Sequence, residues 1–210
     1  MTGAEANYTE QAGLPNTMKI YFHLNISGFS NCYLIVNEIT KEAIIVDPGK
    51  ITGPMIDQIE KDRYALKAVL VTHNHGSHVN GLQTLLKIYN PEIFAADLGT
   101  AAKHAHVLKD DGTLSAAGLQ IQYVSLPGHT ADSMIYKIGQ AVFTGDTISA
   151  GKMGSTDNRY QEKTLRDNIK SKIFTLPDET ILLPGHGPIT TVGTEKQINT
   201  DITGQDCITG

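Results

Sequence analysis

Short apolar runs separated by turn residues dominate the chain, and the period of each run decides what it becomes. Residues 18–22, 31–36 and 42–46 are rich in the β-branched and aromatic side chains of strands, and the polar turn 37–41 joins the second and third as a hairpin. The third runs into Asp47-Pro48-Gly49, a tight turn with a carboxylate at its tip. In 53–63, Met55, Ile56 and Ile59 are spaced by charges, which predicts a short amphipathic helix leading into strand 68–71. Leu82, Leu85, Leu86 and Tyr89 fall at i, i+3, i+4 and i+7, so a helix begins near His78 and stops before Pro91. A strand at 92–96, a weaker helix at 98–108 and a turn at 110–112 follow.

The strand 119–124 alternates apolar and polar residues, and 133–138 with 141–144 forms a second hairpin-like pair. A glycine-bearing loop (Gly151, Gly154), a helix over about 162–174 and a strand at 180–183 complete the pattern. Residues 1–17 are polar and read as a disordered or loosely docked arm, 18–200 as one domain, and the last twenty or so residues, 201–210 above all, as a loose tail. The order of elements hints at two halves, each running strands, helix, strands, helix.

At five places an apolar strand ends with a glycine within two residues of a histidine or aspartate: Asp47/Gly49, His73 to His78 around Gly76, Gly128/His129, Gly145/Asp146 and Gly185/His186. Glycine lets the backbone turn sharply or approach a neighbour, so strand ends of this kind can crowd polar side chains around one point. His73 and His75 are two apart and share a side on an extended strand end, whereas His78, three further on, belongs to the first turn of a helix. Imidazoles so grouped suit zinc, iron or copper. His104 and His106 lie in the weaker helix, where they cannot share a metal, and His23 lies in a loop that could border a pocket. Tyr33 and Tyr123 alternate with apolar residues and read as core.

Composition narrows the partners. The 210 residues give 17 − 22 = −5 in net charge and contain no Lys/Arg run, so neither nucleic acid nor an anionic membrane is expected, and a small-molecule substrate is. No stretch reaches the roughly 20 apolar residues of a membrane span, and the N-terminus has no signal-peptide pattern. Cys32 and Cys207 make neither a disulfide framework nor a metal motif. The expected location is cytoplasmic.

The run THNHGSHVNG (72–81), followed in order by LPGHT (126–130), FTGDT (143–147) and LPGHG (183–187), resembles the metallo-β-lactamase fold superfamily, whose signature is THxHxDHxxG with downstream His, Asp and His. With NCYLIV (31–36), VDPG (46–49) and FTGDTISAGKMGSTD (143–157), the set is most similar to the hydroxyacylglutathione hydrolase (glyoxalase II)-like branch. The resemblance covers about 18–188. It implies an α+β fold, a four-layer αβ/βα sandwich with the metal site at the edge between the two sheets. It also implies metal ligands at His73, His75 and His129, a bridging carboxylate at Asp146, further ligands at His78 and His186, and an orienting hydrogen bond from Asp47. Asp146 and His186 are the expected catalytic residues. In true β-lactamases the position of Asp146 is usually Cys, which argues against antibiotic hydrolysis.

Two positions depart from the pattern: the aspartate of THxHxDH is Ser77, and the arginine of GR(S/T)D is Ser155. Ser77 can cap a helix starting at His78, but it cannot stand in for a carboxylate ligand. The expectation is therefore one firmly bound ion, Zn2+ first and Fe or Mn next, with the second weak or absent. The implied reaction is hydrolysis of a small thioester or ester by metal-bound hydroxide. The branch's full-length hydrolases hold glutathione with a separate C-terminal helical domain, and the short stretch after His186 predicts no such hold here. The alternatives are persulfide oxygenation at a single iron, and a metal-binding or ligand-binding protein whose hydrolytic power has faded.

Overall fold

The structure, a computed structural model, describes residues 17–26, 28–97, 99 and 105–204. One six-stranded sheet is formed by β1 (Met18–Asn25), β2 (Ser30–Asn37), β3 (Glu42–Val46), β4 (Ala65–Leu70), β5 (Glu92–Ala95) and β6 (Ala105–Val107), in that spatial order. The first three are antiparallel neighbours; β3 through β6 run parallel. A second six-stranded sheet contains β7 (Gly112–Ala116), β8 (Leu119–Ser125), β9 (Met134–Ile138), β10 (Ala141–Gly145), β13 (Ile181–Pro184) and β14 (Thr190–Thr191), in the order β14-β13-β10-β9-β8-β7. Between β10 and β13 the chain makes a small hairpin of β11 (Ile148–Ser149) and β12 (Lys152–Met153).

Why the sheets stack is visible in β2, whose residues 30–36 are all buried. Tyr33 and Ile35 face the cluster between the sheets, with Val46, Leu70, Ile121, Tyr136 and Phe143. Cys32, Leu34 and Val36 point the other way, into a cluster with Met55 and Ile59 of α1 (Gly53–Lys61) and Leu82 and Leu85 of α3 (Leu82–Ile88). A strand apolar on both faces has to be covered on both. The second sheet is covered by Leu165 of α4 (Arg159–Asn168), by Ile169 and Ile173 of the π-helical turn that prolongs it, and by Val192 of α5 (Val192–Ile198) and Ile202 of α6 (Thr200–Thr203). The layers run helix, sheet, sheet, helix, as the resemblance implied.

Three expectations change, and one strand, β7, was not anticipated. The weaker helix at 98–108 ends as strand β6, which pairs with β5; residues 98 and 100–104, with His104, lie outside the described residues. Pairing at a sheet edge overrides a weak local preference. β7, on the partner side of β8, was hidden by its half-exposed alternation. The loose tail is instead helical over α5 and α6, whose apolar residues complete the outer core of the second sheet. His23 sits within β1 and bonds through Nε2 to Gln58 Oε1 of α1 at 3.0 Å, so it faces a helix rather than a pocket. Residues 1–16 and 205–210, most of the arm and of the tail, are outside the described residues. No helix among the described residues is long and apolar enough to cross a membrane.

Candidate metal centre

The parallel pairs β3/β4 and β10/β13 end on one edge of the sandwich, and the polar turns gather there. Asp47 leaves β3 with φ of +53°, a left-handed conformation that only surrounding contacts can hold in a non-glycine residue. Those contacts are Thr72 N to Oδ1 at 2.8 Å, Thr72 Oγ1 to Oδ2 at 2.7 Å, and His78 Nδ1 to Oδ2 at 3.0 Å. The Thr72 hydroxyl, donating to Asp47, is left to accept from His73 Nδ1 at 3.1 Å. His129 Nδ1 lies 2.7 Å from the carbonyl oxygen of Ser155. Each of these bonds puts a proton on the outer ring nitrogen and turns the other nitrogen inward.

The inward atoms form two groups sharing Asp146. His75 Nδ1 lies 2.9 Å from His73 Nε2 and 3.2 Å from His129 Nε2, and Asp146 Oδ2 is 3.7 Å from His73 Nε2 and 3.8 Å from His129 Nε2. Asp146 Oδ1 is 2.8 Å from His186 Nδ1 and 3.4 Å from His78 Nε2. In both His73/His75/His129/Asp146 and His78/Asp146/His186, the donor atoms all lie within 4.8 Å of one another. Gly185 lets the strand ends come this close: a Cβ there would stand 2.5 Å from both Asp146 Oδ1 and His78 Cε1.

A cation fits this arrangement for two reasons. His78 Nε2 is buried without a hydrogen-bond partner, which a native protein rarely tolerates. And one hydrogen on His75 Nδ1 cannot satisfy two facing imidazole nitrogens, whereas a metal ion accepts several lone pairs at once. The charge balance agrees. Burial, with a further push from His78, lowers His73 to about 4, and burial with His129 lowers His75. Burial also opposes charge on His78, but Asp47 and Asp146 outweigh it and raise the ring to about 10. Burial works against ionisation of Asp146, yet its bond to His186 and the nearby His78 ring hold it far below the usual carboxylate range. His186 is raised, first by its bond to Asp146.

All six expected ligands, with Asp47 behind them, therefore meet on one edge. Ser77 does not cap its helix as expected: it is the second residue of α2 (Gly76–Val79), whose N-cap is His75, with no side-chain cap bond. The backbone oxygen of Ser77 instead receives Ser30 Oγ at 2.6 Å, tying α2 to the start of β2. Sequence reasoning missed Thr72, the Ser155 carbonyl and Asp132, whose Oδ2 accepts from Asn74 N at 2.8 Å between the first two histidines. A hydroxyl or backbone oxygen has no sequence period to betray it; Thr72 and Ser155 carried a signal only by lying inside the quoted motifs, and Asp132 lay outside them. Tyr33 is core, as expected, and its hydroxyl also bonds to the carbonyl of Pro184 just before the last site loop. His106 is a surface residue, stacked on Phe94 with ring centres 4.8 Å apart.

The sequence profile of the metallo-beta-lactamase superfamily matches residues 26–186, which hold every donor described. The chain belongs to that superfamily. Among its relatives is the hydroxyacylglutathione hydrolase GloC of Haemophilus influenzae, 31% identical over 193 residues, with 80% of this chain and 91% of the relative covered. The hydroxyacylglutathione hydrolase of Chromohalobacter salexigens is 30% identical over 166 residues, 77% of this chain; the match spans only 64% of that relative's length. Among solved structures, the BLEG-1 B3 metallo-beta-lactamase superposes with a TM-score of 0.79 at 27% identity, covering 89% of this chain and 100% of that one.

Proposed function

We propose that the protein is a metal-dependent hydrolase of small thioesters or esters. One ion is held firmly by His73, His75, His129 and Asp146, and a weaker position is formed by His78, Asp146 and His186. The observation that carries this reading is the convergence of three imidazole nitrogens and a carboxylate oxygen with the unpartnered Nε2 of His78 beside them. Three imidazoles and a carboxylate suit zinc first, and iron or manganese next. A bound ion supplies Lewis acidity and a lowered pKa for water.

The chain's own residues do the rest. Asp146, kept ionised by His186 and the nearby His78 ring, supplies a fixed negative charge and an oxygen to both donor groups. His186, raised by its bond to Asp146 and more than a third exposed, is the group that takes up a proton at the site and exchanges it with solvent. Asp47 and Thr72 accept from Nδ1 of His78 and His73 and so turn each Nε2 toward the site. A thiolate leaves without needing a proton from the protein, which favours thioesters over amides. The names of the two relatives support an acyl-thioester substrate. The low charge and the absence of a basic run support a small molecule over nucleic acid.

The test is a panel of hydroxyacyl and simple acyl thioesters, aryl esters, a chromogenic β-lactam and a persulfide with oxygen monitored. Thioester turnover that is lost in His73→Ala and on chelation, with metal restoring the natural chain, is expected. Turnover of the β-lactam or oxygen uptake with the persulfide, and none of the thioesters, overturns the reading.

A further inference from the structure

The carboxylate of Glu195 is fully buried on α5, outside both donor groups, and it accepts hydrogen bonds from three residues. Gly151 N lies 3.0 Å from Oε2 and 3.2 Å from Oε1, Thr190 Oγ1 is 2.7 Å from Oε1, and Asn199 Nδ2 is 2.7 Å from Oε2. Burying a carboxylate is costly, and the cost is offset only when its oxygens are satisfied. What this one holds is the tip of the β11–β12 hairpin. A second acidic residue holds the same hairpin from outside: Asp201 Oδ2 of α6 accepts from Met153 N at 3.1 Å, while its backbone oxygen receives Arg166 Nε of α4 at 2.8 Å.

The clamped hairpin begins and ends at the metal centre. Its first strand follows Asp146, the carboxylate shared by both donor groups. Its second strand leads through Gly154 to Ser155, whose carbonyl takes the Nδ1 proton of His129. Gly154 N bonds to Thr147 O at 3.1 Å, and the carbonyl oxygen of Asp146 occupies the space that a Cβ on Gly154 would need. The loop is therefore packed shut at its base, and a displacement at Gly151 or Met153 is transmitted to Ser155 and Asp146 rather than absorbed.

We infer that Glu195 and Asp201 are positioning residues for the metal centre: by clamping the β11–β12 hairpin they set the Ser155 carbonyl, and through it the ring of His129. This rests on the metal reading above. It gives the last helices a role in the site itself, beyond covering the second sheet.

The experiment uses the full chain loaded with Co(II), whose absorption bands report ligand geometry. Glu195→Gln puts an amide NH2 among three donors, and Asp201→Ala removes a solvent-exposed acceptor with little risk to folding. Both are expected to weaken Co(II) binding, measured by chelator competition, by about tenfold, the lower range for residues that orient ligands, and to shift the bands. Asp201→Asn keeps an oxygen for Met153 N and restores natural values. If both variants melt at lower temperature without metal yet bind Co(II) with natural affinity and spectrum, the residues are merely structural and the inference is overturned. Should Glu195→Gln not fold, Asp201→Ala against Asp201→Asn decides alone. Failure of the natural chain to take up Co(II) overturns the metal reading, and this inference with it.

Discussion

Asp47 Oδ2 lies 3.0 Å from His78 Nδ1, and that contact decides which way a fully buried ring faces. The same oxygen takes the Thr72 hydroxyl, which in turn meets His73 Nδ1, so one carboxylate behind the site aligns a histidine of each donor group. Asp47→Ala leaves two buried donors of Thr72 and the His78 ring unpartnered. A loss of about 3 kcal/mol in the metal-free protein is expected, measured by urea unfolding, together with loss of metal from the His78/His186 position. Unchanged stability and metal content would show that Asp47 does not orient the rings.

Acidification should empty the two positions in order. His78 is raised to about 10 by Asp47 and Asp146, against burial, so below that pH an ion must expel its proton to bind, and affinity there falls as pH falls. Burial already lowers His73 to about 4, so its Nε2 is free across the neutral range. Between pH 8 and pH 5.5 the His78/His186 position is expected to lose metal first, read by metal analysis after dialysis at each pH. Simultaneous loss contradicts the assignment of protons.

The natural chain should carry one tightly held ion, because Ser77 offers no carboxylate. Ser77→Asp puts an acidic side chain in the first turn of α2, where the helix end also favours negative charge. Tightly bound metal is expected to rise from about one equivalent to about two, measured by elemental analysis. Two tight equivalents in the natural protein would refute the single-ion expectation.

Gly185→Ala tests the crowding of the strand ends. Its Cβ would meet Asp146 Oδ1 and His78 Cε1 at 2.5 Å, and the backbone of Gly145 at 3.1 Å. Activity is expected to fall at least about 100-fold, the scale of a 1 Å misplacement, with the far-UV circular dichroism retained. A variant with natural turnover would mean that the packing at this edge is looser than it stands here.

The sequence by itself determined the donors and most of the strands. Histidine and aspartate beside glycine at strand ends are local features, and strand and helix periods are written in consecutive side chains, so His73, His75, His129, Asp146 and His186 stood out before any coordinates. Tertiary structure alone decided what holds them. That Thr72 relays Asp47 to His73, that the Ser155 carbonyl orients His129, and that Glu195 clamps a hairpin some forty residues away are contacts between distant segments, with no period to announce them. The same holds for β6, β7 and the last two helices. Their local preferences are weak, and they take their form because a sheet edge accepts a strand and an apolar sheet face requires cover.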